Sequence, residues 1–533
     1  MAAAAAAIAS GVRDRARAAA AGMISMAAIS SAPTTLSATA TTTAKAPLNW
    51  TTAQDYQDMQ NQLGITQMRR GPSGQANAPN PANYDEAKAN PFTDLPALMT
   101  LKNGQAVTTP EQWRQRRAEI MEEFDREILG RVPANMPKVT WRVEGVDKTN
   151  INRMPVTATR MAGKVDNAAY PAINVEIQMT VVLPDNAKGP VPLLMMFGRS
   201  AYPNASQPNQ GDFVKLNSAL KAAMLRIDPS LRQVFKDHPG YEPFIAPNPF
   251  AQPARTLNEN GDAPSQEQLI AAGWGFATLD PGSIQADNGA GLTRGIIGLM
   301  NKGQARKPED WGSLRAWAWG ASRGLDYLKT VKAVDGNHVG IEGVSRYGKA
   351  ALVTMAYDER FHSVLVGSSG EGGAKLHRRN FGEAVETVAG SGEYHWVAGN
   401  FLKYATAEGK LGAKTPNDMP IDAHELIALC APRLTFISYG VPEKGDANWL
   451  DQQGSYMATV AAQPAWQITG AKTLGVSNDW RTEKKPGVEV SLMDGKLAWR
   501  QHNGGHTSWH NMKHYIAWVD RELGRKPVQT ASN

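Results

Sequence analysis

A serine suited to act as a nucleophile lies in the segment 339–349. A short apolar run, Val339 to Ile341, precedes Gly343-Val-Ser-Arg-Tyr-Gly348, and a mostly apolar segment follows. This pattern predicts a strand, a tight turn with Ser345 at its apex, and a helix, which is the arrangement of a nucleophile elbow. The usual elbow has its second glycine two residues after the serine, whereas Gly348 comes three residues after it. The glycine two residues before Ser345 still allows another segment to approach a strained turn.

A serine hydroxyl needs an imidazole to take its proton and a carboxylate to orient that imidazole. Of the ten histidines, four occur from His502 onward, and in chains with this elbow the histidine comes last of the three groups. His506 lies in Asn503-Gly-Gly-His-Thr507, between a short predicted strand and the final helix. We therefore predict that His506 is the general base, with His502 and His510 as the alternatives.

The carboxylate is expected after the penultimate strand, predicted at residues 434–439. That strand is followed by Gly440 and then by Val441-Pro-Glu-Lys-Gly-Asp446. Glu443, three residues after the glycine, is the preferred acid, and Asp446 is the alternative. A third candidate is Glu371, in the glycine-rich loop after the strand that follows the elbow.

Two cationic residues follow the serine. An oxyanion site needs N–H donors directed at the developing negative charge, and the backbone N–H of Arg346 is the expected donor. The Arg346 guanidinium is available at the same place for an oxyanion or an anionic substrate. Lys349 lies one helical turn after Ser345 and either points toward the pocket or is an exposed helix lysine.

The elements that position these residues change character along the chain. Alternating segments at 139–146, 158–161 and 173–183 predict antiparallel strands. After them, apolar strands alternate with helices, including a helical period over 311–328 and a final helix at 509–523. This order predicts an α/β-hydrolase fold: a three-layer sandwich with a mainly parallel central sheet, antiparallel N-terminal strands and long insertions, chiefly 199–272 and 371–430.

The N-terminal segment and the net charge of the chain limit its possible location and partners. Residues 1–45 combine three early arginines, a short apolar stretch and a Ser/Thr/Ala tract, which predicts a signal peptide with a low-complexity tail and a secreted or periplasmic protein. Residues 46–533 are predicted to form one catalytic domain with an N-terminal arm over 46–108. The first 45 residues carry half of the net charge of +6, so no nucleic acid partner is indicated.

The single cysteine, Cys430, lies in an apolar run and excludes a disulfide within the chain. It also excludes any metal site built on several cysteines. The apolar stretch before residue 45 is too short and too rich in alanine to span a membrane.

Several motifs resemble the glucuronoyl esterase family, and in particular its bacterial branch. Gly-Val-Ser345-Arg-Tyr-Gly-Lys349 is similar to the family's G-x-S-R-x-G-K signature, in which the second glycine also stands at +3. The other similar segments are Trp311-Gly-Ser-Leu-Arg-Ala-Trp317, Gly367-Ser-Ser-Gly370, Gly392-Glu-Tyr-His-Trp396 with Asn400-Phe401, and Asp446-Ala-Asn-Trp-Leu450. The resemblance covers roughly residues 90–525 and implies hydrolysis of the ester that joins 4-O-methyl-glucuronic acid of glucuronoxylan to lignin alcohols, without a metal or other cofactor.

The resemblance also implies roles for individual residues. Ser345 would be the nucleophile, His506 the base and Arg346 the oxyanion stabiliser. Residues contacting the sugar would be Lys349, Glu393 and Trp449. Fungal members place the acid directly after the strand that follows the elbow, where this chain has Ser368, so the acid is expected in the loop of Glu443 and Asp446.

Two other functions remain open on sequence grounds. One is a different secreted carbohydrate esterase, such as an acetyl-xylan esterase, and the other is a non-catalytic hydrolase fold that binds polysaccharide. The expected partner is a lignin–carbohydrate ester or a fragment of glucuronoxylan, and the chain is expected to be a monomer.

Overall fold

A computed structural model of the protein describes residues 45–92, 94–199, 210–239 and 257–525. Twelve strands lie in these ranges. They are β1 (Ile65–Met68), β2 (Val139–Ile151), β3 (Met154–Val165), β4 (Glu176–Pro184), β5 (Val191–Phe197), β6 (Gly275–Leu279), β7 (Val334–Val344), β8 (Ser363–Gly367), β9 (Thr406–Gly409), β10 (Leu434–Tyr439), β11 (Ser491–Leu492) and β12 (Leu497–Gln501).

Ten of these strands form one sheet, in the order β11-β12-β10-β8-β7-β5-β6-β4-β3-β2. The six strands from β12 to β6 run parallel to one another. The strands β2, β3 and β4 form an antiparallel meander that pairs with β6 through β4. The predicted mainly parallel sheet with antiparallel N-terminal strands is confirmed. Because parallel neighbours end at the same edge, the residues that follow β7, β8, β10 and β12 share one side of the molecule.

The helices connect these strands and cover the sheet. They are α1 (Thr52–Leu63), α2 (Pro110–Glu127), α3 (Gln210–Ile227), α4 (Leu231–Asp237), α5 (Ser265–Ala271), α6 (Gly295–Met300), α7 (Ser313–Leu328), α8 (Arg346–Tyr357), α9 (Val385–Val388), α10 (Ala423–Ala428), α11 (Gln452–Ala462), α12 (Pro464–Gln467) and α13 (Trp509–Glu522).

Side chains of the parallel strands alternate between two separate apolar cores. On β8, Val364 and Val366 belong to the larger core, which includes residues of α7, α8, α10 and α11. Leu365, between them, belongs to the smaller core on the opposite face, which α5 and α13 cover. This period of two is what a strand buried on both faces requires. The sheet is therefore the middle layer of three.

The N-terminal arm contains more regular structure than its polar sequence suggested. Helix α1 begins after Thr51, whose side chain and that of Gln54 form a capping box. Strand β1 pairs antiparallel with β9 of the second insertion, so the arm is joined to the rest of the described chain by backbone hydrogen bonds and belongs to the same compact unit. The predicted signal segment lies outside the described residues, apart from Lys45, as do parts of the first insertion.

None of the helices in the described ranges combines the length and the apolar character needed to cross a membrane.

Helix α8 packs closely on β8 because residue 348 is a glycine. A Cβ added to Gly348 would lie 2.5 Å from the carbonyl oxygen of Gly367, the last residue of β8. The glycine at +3 is therefore a requirement of helix–sheet packing and not a displaced elbow glycine.

Gly348→Ala is expected to lower the free energy of unfolding by about 1–3 kcal/mol. The loss is expected even though alanine is a better helix former than glycine by about 1 kcal/mol, because the new methyl group would push α8 away from β8. Urea denaturation measures this change. Gly189→Ala is the control, since a Cβ there meets no atom within 4 Å. Equal unfolding midpoints for the two variants would contradict the packing argument.

Candidate active site

The turn between β7 and α8 holds Ser345 in an unusual backbone conformation. Its φ and ψ angles are 61° and −130°, a region that costs energy for any residue with a Cβ. The backbone N–H of Ser345 donates to the carbonyl of Gly367 on β8, at 2.9 Å. Gly343 makes the turn possible, because a Cβ there would lie 2.1 Å from the carbonyl oxygen of Tyr347. The predicted strand–turn–helix around Ser345 is present.

His506 and Asp446 are paired in loops that follow neighbouring strands. The Nδ1 atom of His506, after β12, lies 2.7 Å from Oδ1 of Asp446, after β10. Asp446 is fully buried, and its second oxygen accepts hydrogen bonds from the Ser368 hydroxyl at 2.8 Å and the Gly440 N–H at 2.6 Å. A carboxylate accepts at both positions, so His506 carries its proton on Nδ1 and leaves Nε2 free to accept one.

Glu443, the preferred acid from the sequence, is not the partner of His506. Its side chain is exposed on a short 3-10 turn at Pro442–Lys444 and makes no hydrogen bond to His506 in the described structure. After this turn Gly445 adopts φ 98°, which reverses the chain and brings Asp446 inward. The geometry therefore favours Asp446 over Glu443 as the carboxylate that orients His506.

The remaining candidates for acid and base are engaged elsewhere. Glu371 is fully buried and is held by Lys375, at 2.8 Å, and by His377. The Nε2 atom of His502 lies 2.7 Å from the carbonyl of Thr507, and its ring stacks on that of His510. Neither alternative histidine is paired with Asp446.

The guanidinium of Arg346 is held by Asp287, a residue that the sequence analysis did not identify. Arg346 donates through Nη1 to Asp287 at 2.6 Å. The same carboxylate accepts from Trp396 Nε1 at 2.6 Å and lies 2.8 Å from His395 Nε2. Burial raises the pKa of Asp287, but the hydrogen bonds from His395, Trp396 and Arg346 outweigh it and hold the pKa well below its usual range. A sequence signal existed, since Asp287 follows β6, a parallel strand that ends at the same edge.

Lys349 is buried and not exposed on the helix surface. Its Nζ donates to the carbonyl of Ser369 at 2.7 Å, lies 3.8 Å from a carboxylate oxygen of Glu383 and lies 5.2 Å from the Trp396 ring centre. Burial and the neighbouring Glu383 carboxylate raise the pKa of Glu393 to about 7. The Oε2 atom of Glu393 is buried without a hydrogen-bond partner among the described residues.

Trp449 lies beside the same group of residues. Its carbonyl accepts from the backbone N–H of Glu383 at 2.7 Å, and its ring faces Gly74 of the N-terminal arm. The backbone contact aligns Trp449 with Glu383, which lies in the second insertion. Insertions carry no periodic pattern that relates them to a strand end, so Glu383 had no signal in the sequence.

The site combines two chemical capacities. Ser345 and the His506–Asp446 pair lie at the carboxyl edge of the sheet, where a serine, an imidazole and a carboxylate support acyl transfer. Lys349, Glu383 and Glu393 provide a cation and two carboxyl groups, which suits hydroxyl groups that both donate and accept hydrogen bonds. Within the described ranges, no cluster of three His, Cys, Asp or Glu side chains could hold a metal ion.

Known proteins that are similar to this chain are described as esterases. The family described as glucuronyl esterase, fungi, matches residues 305–470. The chain is 30% identical over 402 residues to Carbohydrate esterase MZ0003 from an unknown prokaryotic organism, covering 73% of this chain and 81% of the relative. It is 25% identical to a 4-O-methyl-glucuronoyl methylesterase from Hypocrea jecorina, of which it spans 62%.

Two solved bacterial structures share the whole architecture. A CE15 glucuronoyl esterase from Teredinibacter turnerae is 36% identical to this chain, with a TM-score of 0.71. The alignment covers 89% of this chain and 100% of that chain. A glucuronoyl esterase from Solibacter usitatus is 27% identical, with a TM-score of 0.63, and covers 83% of this chain and 100% of that chain. The chain thus belongs to the bacterial branch of the glucuronoyl esterase family and is a carboxylic ester hydrolase with the α/β-hydrolase fold.

Proposed function

We propose that Ser345, His506 and Asp446 form a catalytic triad that hydrolyses the ester between (4-O-methyl-)glucuronic acid of glucuronoxylan and lignin alcohols. The observation that carries the proposal is the 2.7 Å contact between His506 and the buried Asp446, at the sheet edge where Ser345 follows the nucleophile strand. Family membership supports the reaction, and the group of Lys349, Glu383 and Glu393 supports a sugar substrate.

The reaction proceeds through an ester on the serine. Ser345 Oγ attacks the carbonyl carbon of the uronic ester while His506 Nε2 takes its proton. The bond to the alcohol then breaks, and His506 returns the proton to the leaving oxygen. A water molecule attacks the glucuronoyl-serine ester, His506 accepts its proton, and the uronic acid leaves as Ser345 is restored. Asp446 stabilises the imidazolium formed at each stage.

Arg346 stabilises the negative charge on the carbonyl oxygen in both steps. Its backbone N–H, directly after the nucleophile, and its guanidinium provide donors for that oxygen. Asp287 holds the guanidinium through Nη1, at 2.6 Å. The remaining nitrogens stay available for the substrate.

The sugar ring is bound by polar groups and one aromatic face. Lys349 donates to ring hydroxyls, whereas Glu383 and Glu393 accept from them. The half-buried Trp449 provides a flat apolar surface for the methoxy side of the ring. We further propose that the protein is secreted or periplasmic, on the basis of the signal-type sequence of residues 1–45.

Ser345→Ala is expected to lower kcat/KM for benzyl glucuronate by at least about a thousandfold, because no other nucleophile is available to form the acyl-enzyme. Release of benzyl alcohol measures this rate. The parent enzyme is expected to cleave benzyl glucuronate faster than the galacturonate epimer and faster than acetylated xylan. Cleavage that is unchanged in Ser345→Ala would contradict the triad, and activity on acetyl esters alone would indicate an acetyl-xylan esterase.

Replacing the two neighbouring carboxylates separately tests the assignment of the acid. Asp446→Asn is expected to lower kcat by about ten-thousandfold, because an amide favours the wrong imidazole tautomer. Glu443→Gln, an exposed position in the same loop, is the matched control and is expected to leave kcat unchanged. Steady-state kinetics on benzyl glucuronate measures both. A large loss of kcat in Glu443→Gln with an unchanged kcat in Asp446→Asn would instead identify Glu443 as the acid.

A double-mutant cycle tests whether Asp287 acts through Arg346. Asp287→Asn is expected to lower kcat about tenfold to hundredfold in the parent, since a neutral amide holds the guanidinium less firmly. In an Arg346→Met background the same change is expected to have almost no effect, because residues that act together are not additive. Equal losses in the two backgrounds would mean that Asp287 has a separate role.

A further inference from the structure

Glu342 is a buried carboxyl group that the proposed triad does not use. It lies on β7, three residues before Ser345, and only 4% of its surface is exposed. Its neighbour Ile341 belongs to the larger core, so by strand alternation Glu342 points to the opposite face, which α13 covers. A carboxyl group in this apolar layer needs a specific partner to offset the cost of burial.

That partner is Ser508, two residues after His506. The Ser508 hydroxyl donates to Oε1 of Glu342 at 2.5 Å, across 166 residues of sequence. Ser508 occupies the N-cap position of α13, where a serine normally accepts a hydrogen bond from the first turn of its own helix. Here it makes no such side-chain bond. The local cap is replaced by a contact with the nucleophile strand.

Among the described residues, no cation acts on Glu342. Its pKa is affected by burial and by the Ser508 hydrogen bond. The ionisable side chain facing it is Tyr515 of α13, whose pKa burial raises far above neutral and whose hydroxyl is 2.7 Å from Ser363 Oγ. The strands on either side place Met196 and Leu365 beside it. Ser508 is therefore the one directional contact of this carboxyl group in the described structure.

We propose that Glu342 is a positioning residue which, through Ser508, anchors the loop carrying His506 to the strand carrying Ser345. The proposal rests on the proposed function, in which His506 Nε2 takes the proton of Ser345. Asp446 orients the imidazole from β10 and β8, but it does not connect the histidine loop to β7. The Glu342–Ser508 hydrogen bond makes that connection and so controls the separation of base and nucleophile.

The expected effect is on the reaction rate rather than on substrate binding. Proton transfer requires about 2.6–3.2 Å between the two atoms, and a displacement of about 1 Å can reduce the rate about a hundredfold. Neither Glu342 nor Ser508 belongs to the group that surrounds the sugar. Loss of the contact is therefore expected to lower kcat and to leave KM unchanged.

Ionisation of Glu342 gives a second readout. Burial raises its pKa from the ordinary 4.5 to about 7, so the folded protein holds this proton more tightly than the unfolded chain. The stability contributed by the protonated group is complete below about pH 4.5 and is lost as the pH rises through about 7. Glu342→Gln keeps an acceptor for Ser508 and stays neutral, so it is expected to raise Tm relative to the parent at pH 8 but not at pH 4.

The test compares kcat, KM and Tm of the full-length parent, Ser508→Ala, Ser508→Thr and Ser363→Ala with benzyl glucuronate. Ser508→Ala is expected to lower kcat about tenfold to hundredfold with KM unchanged, and Ser508→Thr, which keeps the hydroxyl, is expected to restore most of the rate. Ser363→Ala is the matched control, because it removes another buried sheet–α13 hydrogen bond away from the histidine loop, and is expected to lower Tm without changing kcat.

The proposal would be overturned if Ser508→Ala had a lower Tm, as Ser363→Ala is expected to have, but the same kcat as the parent. Adding Glu342→Ala to Ser508→Ala is expected to lower kcat no further, and an additive loss would also contradict it. If the Glu342→Ala variants do not fold, the Ser508→Ala and Ser508→Thr pair decides alone. If Ser345→Ala is active, the proposed triad is refuted. If Ser345→Ala is inactive and Ser508→Ala is fully active, the triad stands and only the positioning role of Glu342 is refuted.

Discussion

The buried carboxylate of Asp446 is the contact on which the catalytic edge depends. An isolated carboxylate is costly to bury, and this one has no exposed surface. It is stabilised by Ser368 after β8, by the N–H of Gly440 after β10 and by His506 after β12. One charged group thus joins the ends of three adjacent parallel strands. The position of His506 follows from satisfying Asp446, so the orientation of this imidazole is tied to the stability of the sheet edge.

The charged residues around Arg346 and Lys349 follow a different electrostatic rule. Arg346 is neutralised by Asp287, while Lys349 lies among the carboxyl groups of Glu383 and Glu393. Burial, together with the neighbouring Glu383 carboxylate, raises the pKa of Glu393 to about 7. Its unpartnered buried oxygen is a group whose hydrogen bond a ligand would complete. The charge of Arg346 is thus paired within the protein, whereas the group around Lys349 retains a buried acceptor that has no partner among the described residues.

Sequence reasoning succeeded where the structure follows local patterns. The apolar run at 434–439 predicted β10 with its observed bounds, and the strand–turn–helix around Ser345 followed from its flanking residues. The sequence analysis preferred Glu443 to Asp446 on the number of residues after the strand. That number cannot show that Glu443 lies exposed on a 3-10 turn, or that Gly445 turns the chain so that Asp446 points inward. Sequence reasoning left the burial of Lys349 open, because the Glu383 that lies beside it comes from an insertion that no periodicity relates to α8.

The position of Asp446 shows what the fold requires of a carboxylate that pairs with His506. Fungal relatives were expected to carry the acid directly after the strand that follows the elbow, where this chain has Ser368. Strands β8 and β10 are parallel neighbours in which Gly367 pairs with Ser438, so the residues beyond them approach the same point from two loops. Here Asp446 occupies that point from β10, and Ser368 donates to it from β8. The constraint is therefore spatial: an acceptor must lie beside His506 Nδ1, and either of two adjacent strand ends can provide it.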